Sequence, residues 1–210
     1  MGTGSIEIVR KPRSDAARNR ERLLKAATAV FSAGGADASL EAVSRTAGVG
    51  IGTLYRHFPT REALYEAVYR HEVQQLSDLA EQLKDDPVPV EALRRWLRGV
   101  IGFVATKRGM IQALALAMAG PSELHAHSFG QMAQAAGVLL ERAAAAGEIH
   151  SGVAPESLVR ALIGMCYMDT QPGWQARVLL LMDTLVNGLR VEVARNKTTR
   201  GRRPTRHNRI

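Results

Sequence analysis

Apolar residues recur at three- and four-residue spacing through most of this chain, and that period predicts helices. Leu23, Ala27, Val30 and Phe31 mark a first helix over Asp15 to Ala33, stopped by Gly34-Gly35. Leu40, Val43 and Ala47 mark a second, with Ser39 as its N-cap and Gly48 as the positive-φ residue that ends it. A third and shorter helix starts near Gly50 and carries Leu54 and Phe58 four residues apart, so both face one core. Thr60 then caps a long helix towards Lys84, with Leu64, Val68, Leu76, Leu79, Ala80 and Leu83 along it; Asp85-Asp86-Pro87 ends it.

The most regular pattern follows in Leu93, Trp96, Leu97, Val100, Ile101 and Val104. Lys107 and Arg108 read as the cations of that helix's last turn, and Gly109 as its break. A short apolar helix from Met110 to Ala119 is expected next, stopped by Gly120-Pro121. Another spans about Ser122 to Ala146, with Met132, Ala135, Ala136, Leu139 and Ala143 inward. The last two helices, Pro155 to Met168 and Trp174 to Ala194, are apolar around most of their circumference. Such helices need cover on several sides. A second copy of the chain is the expected cover, through Leu158, Leu162, Met165, Val178, Met182, Leu185 and Leu189. The fold class is therefore all-α: a three-helix unit followed by a larger helical domain.

The stretch from Ser39 to Glu62 has the chemistry to meet a duplex. A helix, a glycine-bearing turn and a second short helix make a helix-turn-helix. Gly50, Thr53 and His57 share one face of the second helix, flanked by Tyr55 and Arg56, with Arg45 before the turn and Arg61 after the helix. These offer small groups that admit a groove floor, together with hydroxyl, imidazole and guanidinium donors for phosphates. Ile51 can pack on a thymine methyl, and base preference is expected from Gly50, Ile51 and Arg45 or Glu41. Gly48-Val49-Gly50-Ile51-Gly52-Thr53 is not a dinucleotide fingerprint: Thr53 stands at the third glycine, no strand precedes it, and no Lys-Ser/Thr pair closes a phosphate loop.

Charge sharpens this picture. The net charge is +8 over 210 residues, but residues 66–194 hold 11 Lys/Arg against 14 Asp/Glu. The excess lies in residues 1–65, with 10 against 6, and in residues 195–210, with 7 against none. Polyanion binding is thus expected at the two ends. Residues 1–14 read as a basic arm, 15–66 as the DNA-binding unit, 67–194 as a ligand-binding and dimerisation domain, and 195–210 as a basic tail without apolar period. The single Cys166 forms no internal disulfide, no apolar run reaches the length of a membrane span, and no secretory signal is recognisable, so a cytoplasmic location is expected.

Catalytic and metal chemistry find little support. His125 and His127 are two apart and so lie on different sides of a helix, with no Cys or carboxylate completing a set. No nucleophile or carboxylate pair suggests an active site. The chain reads as a binding protein with no cofactor. Trp96, Phe103, Met110, Met118, His125, Met132, Met165, Tyr167 and Trp174 are candidates to surround an apolar cavity, with His127 and Gln131 as further polar groups; plain core is the competing reading of the same residues.

Residues Arg22 to Leu64 resemble the N-terminal domain of the TetR family of bacterial transcriptional regulators. Gly52-Thr53-Leu54-Tyr55-x-His57-Phe58 followed by Arg61-Glu62-x-Leu64 carries the likeness, supported by Leu24, Ala26, Ala27, Phe31, Gly35, Val43, Ala47, Gly48 and Val49. Ser44 and Gly50 depart from it, standing where Ala and Ser are common. The resemblance covers about a third of the chain. It implies a homodimeric repressor on a palindromic operator, a four-helix dimer interface from the last two helices, and release by a small, largely apolar effector through the Thr60–Lys84 helix. A helical carrier or enzyme with a vestigial DNA-binding unit, or a protein that coats DNA nonspecifically, are the alternatives.

Overall fold

The structure, a computed structural model of the chain, describes residues 12–34, 38–114 and 123–191. The described residues form eight helices: α1 (Pro12–Ala33), α2 (Leu40–Ala47), α3 (Ile51–His57), α4 (Arg61–Leu83), α5 (Pro89–Ala113), α6 (Glu123–Ala145), α7 (Pro155–Met168) and α8 (Trp174–Gly188). They contain no β-strand, only an isolated bridge between Ile149 and Arg190. The all-α reading is therefore correct.

The short helices are bounded by local chemistry. The Ser39 side chain accepts the Ala42 N–H at 3.1 Å, and Thr60 Oγ1 accepts the Ala63 N–H at 3.1 Å, each satisfying a donor that a helix start leaves over. Gly48 closes α2 at φ +66°, a left-handed conformation that favours glycine. Leu23, Ala27, Phe31, Leu40, Val43, Leu54, Phe58, Leu64 and Val68 close one core over α1–α4. A larger core fills the rest, from Tyr69 and Leu76 on α4 through Trp96 on α5 to Leu139, Leu162 and Met182. Tyr65 packs against both cores.

Several boundaries differ from expectation. Gly109 does not break its helix: α5 runs through it to Ala113, so Met110 ends this helix rather than starting another. The glycine serves proximity instead, since a Cβ there would lie 1.8 Å from the Phe31 carbonyl oxygen of α1. Lys107 and Arg108 consequently stand inside α5, a turn or more from its end. Helix α8 stops at Gly188 rather than Ala194, because residues 189–191 pair with 148–150: the His150 N–H donates to Leu189 O at 2.8 Å and the Val191 N–H to Glu148 O at 3.2 Å. Helix α1 starts at Pro12, taking in the last residues assigned to the basic arm. Residues 1–11 of that arm, Gly35, Met118, Gly120-Pro121 and the 195–210 tail lie outside the described residues.

The dimer-interface assignment also changes. Leu158, Leu162, Val178 and Met182 are buried in the protomer's own core, so they are not available to a second copy. Of the residues assigned there, Leu185 is exposed, while Met165 and Leu189 are half-buried. Met168 of α7 and Leu180 and Leu181 of α8 are also exposed, at 85%, 68% and 53%.

Candidate functional site

The helix-turn-helix presents a consistent outer face. Leu54 and Phe58 point into the core, so the opposite side of α3 is turned outward, with Ile51, Tyr55 and Arg56 exposed and Thr53 and His57 half-buried. Gly50 is the N-cap, and a Cβ at Gly50 or Gly52 would meet nothing within 4 Å. The start of α3 is therefore bare and slim, a form that permits close approach to a surface. Arg45 is exposed at the end of α2. Arg20 of α1 lies over the Phe58 ring, 5.5 Å from its centroid, and Arg22 donates to the Gly48 carbonyl at 3.5 Å. These two cations brace the back of the turn.

Arg61 has a second role that the sequence did not suggest. Its Nη1 donates to Leu114 O, the carbonyl at the C-terminal end of α5, at 3.3 Å. Thr28 Oγ1 donates to Glu72 Oε1 at 2.8 Å and joins α1 to α4. With the Gly109–Phe31 approach, these contacts fasten the small helical unit to the start of α4 and the end of α5.

A cavity of about 290 Å³ lies beside Tyr69 of α4. Phe103, Val104, Ala126, Phe129, Met132 and Ile163 give it apolar walls, and Tyr69, Lys107, His125 and Tyr167 bring polar atoms. Of the residues expected there, Phe103, His125, Met132 and Tyr167 are brought together. Trp96 is not among them: it is fully buried and its Nε1–H donates to Leu76 O at 3.0 Å. Met110 belongs to the smaller core, and Met165 lines an open groove with Met168 and Leu181. His127 is exposed, and Gln131 lines a different groove.

Tyr65, Tyr69 and Lys107 were missed. The signal for the tyrosines was present in their four-residue spacing, which puts both on one side of α4. The Tyr65 hydroxyl lies 3.3 Å from His125 Nε2, and the Tyr69 ring packs edge-on to Phe103 and His125 at 5.2 and 5.1 Å between centroids. Burial raises the phenol pKa of Tyr65 and of Tyr69, and pushes that of Tyr167 up to about 12. All three therefore stay protonated hydroxyls at any physiological pH. Burial also lowers the Lys107 pKa. Nearby Cys166 is buried in the larger core, its thiol pushed up to about 11 by burial, which suits packing rather than reactivity. No group of three or more His, Cys, Asp or Glu side chains arranged for a metal occurs among the described residues.

Comparison with known proteins agrees with both halves of this architecture. Residues 23–68 match the model of bacterial regulatory proteins of the tetR family, and residues 88–191 match that of the C-terminal domain of SbtR-like transcriptional regulators. The TetR transcriptional regulator SCO0520 from Streptomyces coelicolor is 43% identical, with a TM-score of 0.70 over 81% of this chain and 98% of that one. This chain belongs to the TetR family. As a family member it is a transcriptional regulator with a helix-turn-helix DNA-binding domain. A crystallised gamma-butyrolactone receptor (ArpA-like protein) is 25% identical, with a TM-score of 0.55 over 85% of this chain and 91% of that one. The HTH-type transcriptional regulator SAB2452 from Staphylococcus aureus is 33% identical over 75 residues, which span 35% of this chain and 40% of that protein. No helix among the described residues of this TetR regulator is long and apolar enough to cross a membrane.

Proposed function

We propose that this regulator is a homodimeric repressor that binds an inverted-repeat operator and leaves it when a small, largely apolar molecule fills the α4–α5–α6–α7 cavity. The observation that carries this is the course of α4. Its first turns, through Leu64 and Val68, belong to the core of the DNA-binding unit, while Tyr69, the very next residue, lines the cavity. One rigid helix thus has an end in each process. A ligand that displaces Tyr69 or His125 bears on α4 directly and, through Arg61 and Leu114, on the end of α5. That a 25% identical relative is a gamma-butyrolactone receptor supports entry of a small molecule into this domain.

On the DNA face, Thr53, Tyr55, Arg56 and His57 hold phosphates, while Arg45, Gly50 and Ile51 meet base edges; Arg61 shares its donors between phosphate and the α5 carbonyl. Dimerisation uses the outward stripe of α7 and α8, with Met168, Leu181 and Leu185 at its centre. An apolar patch of this kind marks an association surface in a soluble chain. Residues 15–66 then form the reading head and 67–194 the sensor.

Selection of bound duplexes from random DNA with the purified full chain tests this reading. The expected product is one inverted repeat, occupied by two chains, with half-sites about 34–36 Å or a multiple apart. Recovery of no preferred sequence over bulk DNA, or of a site filled by a single chain, would refute it.

A further inference from the structure

The cavity is lined by a lysine for which the described side chains supply no carboxylate partner. The buried and half-buried arginines of the larger domain are matched: Arg94 with Asp183, Glu91 and Asn187, Arg108 with the carbonyls of Cys166 and Asp169, and Arg142 with those of Leu83 and Asp86. Lys107 faces the cavity between two phenol rings instead, its Nζ 5.6 Å from the Tyr69 centroid and 5.9 Å from that of Tyr167. No ion pair to Lys107 occurs among the residues whose side chains the structure describes. Ring faces are a weak substitute for an anion, and a half-buried ammonium keeps part of its desolvation cost until one arrives.

From this the geometry points to an effector with an anionic head and a compact apolar body: a carboxylic acid whose carboxylate docks on Lys107, with its carbon chain or aryl ring among Phe103, Phe129, Met132 and Ile163. This rests on the reading of the cavity as the effector site. Lys107 supplies up to three N–H donors, and Tyr167, which lines the same cavity, carries a hydroxyl, so the polar side of the cavity is suited to carboxylate oxygens. The volume lies at the small end for ligand pockets, which run from about 300 to 1,000 Å³, and suits a compact apolar body. Burial disfavours the charged lysine, so an incoming carboxylate gains by stabilising that charge, whereas a neutral lactone or alcohol offers no charge in return.

The test is calorimetry on the full chain with matched probes: octanoate and 4-phenylbutyrate, each against its primary amide and primary alcohol, together with γ-octalactone. The acids are expected to bind at least ten-fold more tightly than their neutral partners. Lys107→Met is expected to erase that difference, and Lys107→Arg, which keeps the charge, to retain it. Equal or tighter binding of the neutral compounds would overturn the anionic head while leaving the cavity as an effector site. An acid preference surviving in a folded Lys107→Met would overturn the role of Lys107. Binding of no probe at millimolar concentration would remove this proposal, and the cavity reading would then stand or fall with the cavity-filling variants below.

Discussion

Gly109 shows how much a single missing methyl group can decide. In the exposed interior of a helix, replacing glycine with alanine typically gains about 0.5–1 kcal/mol, because the unfolded chain loses freedom. Gly102, exposed on the same helix with nothing within 4 Å of a would-be Cβ, should follow that rule. Gly109→Ala should reverse it, since its Cβ would overlap the Phe31 carbonyl and force α1 from α5, an overpacking cost of roughly 1–3 kcal/mol or more. Urea denaturation of the two variants checks this: opposite signs are expected, and equal stabilisation would mean that α1 and α5 are not locked there. The sequence did not disclose this role because glycine serves both as a helix stop and as a site of close approach. Ser39, Gly48 and Thr60 were readable, since a cap is satisfied within three residues of itself. Lys107 was misread as a consequence of Gly109: a helix cut at residue 109 puts it in the last turn, whereas the uncut helix points it at the cavity.

At the scale of elements, α7 and α8 each divide their apolar residues between two destinations. Leu158 and Leu162 of α7, and Val178 and Met182 of α8, are buried within the protomer. Met168, Leu181 and Leu185 face outward, Leu185 at 37% exposure. Leu181→Asp and Leu185→Asp should therefore give folded monomers by sedimentation with near-native helix content. Leu162→Asp should instead unfold the chain, because an unpaired buried charge costs on the order of 4 kcal/mol or more. A stable dimer from both outward variants would locate the interface elsewhere. The sequence conveyed that these helices are covered on more than one side, since few polar positions interrupt them. It did not say which side meets which neighbour, because that depends on how α5 and α6 lie against them.

The whole molecule is two cores threaded by α4 and α5, with the cavity near the join. The two-part order and the recognition unit were visible in the sequence because short helices, caps and turns are local. The cavity was not, since its lining comes from α4, α5, α6 and α7, and a space left between helices has no periodicity of its own. Filling it separates a cavity from loosely described core. Ile163→Trp and Met132→Trp, at half-buried and buried lining positions, should leave the melting temperature within a few degrees of the parent and remove any thermal stabilisation by bound acid. In solid core the same insertions would cost about 1–3 kcal/mol, or roughly 2–4 °C for each kcal/mol in a chain of this size. A clear fall in melting temperature for both variants would dismiss the cavity.

Tyr65 has one further consequence. Its ring packs on both cores, and its hydroxyl meets His125 at the cavity wall. A residue shared in this way cannot transmit in one direction only. By thermodynamic reciprocity, whatever factor the effector takes from operator affinity, the operator must take from effector affinity. The regulator that is already seated on its operator is then the less sensitive detector. On the proposed reading, the regulator free of its operator captures the small molecule first, and the sensitivity of the response is set by the ratio of protein to operator sites as much as by the cavity itself.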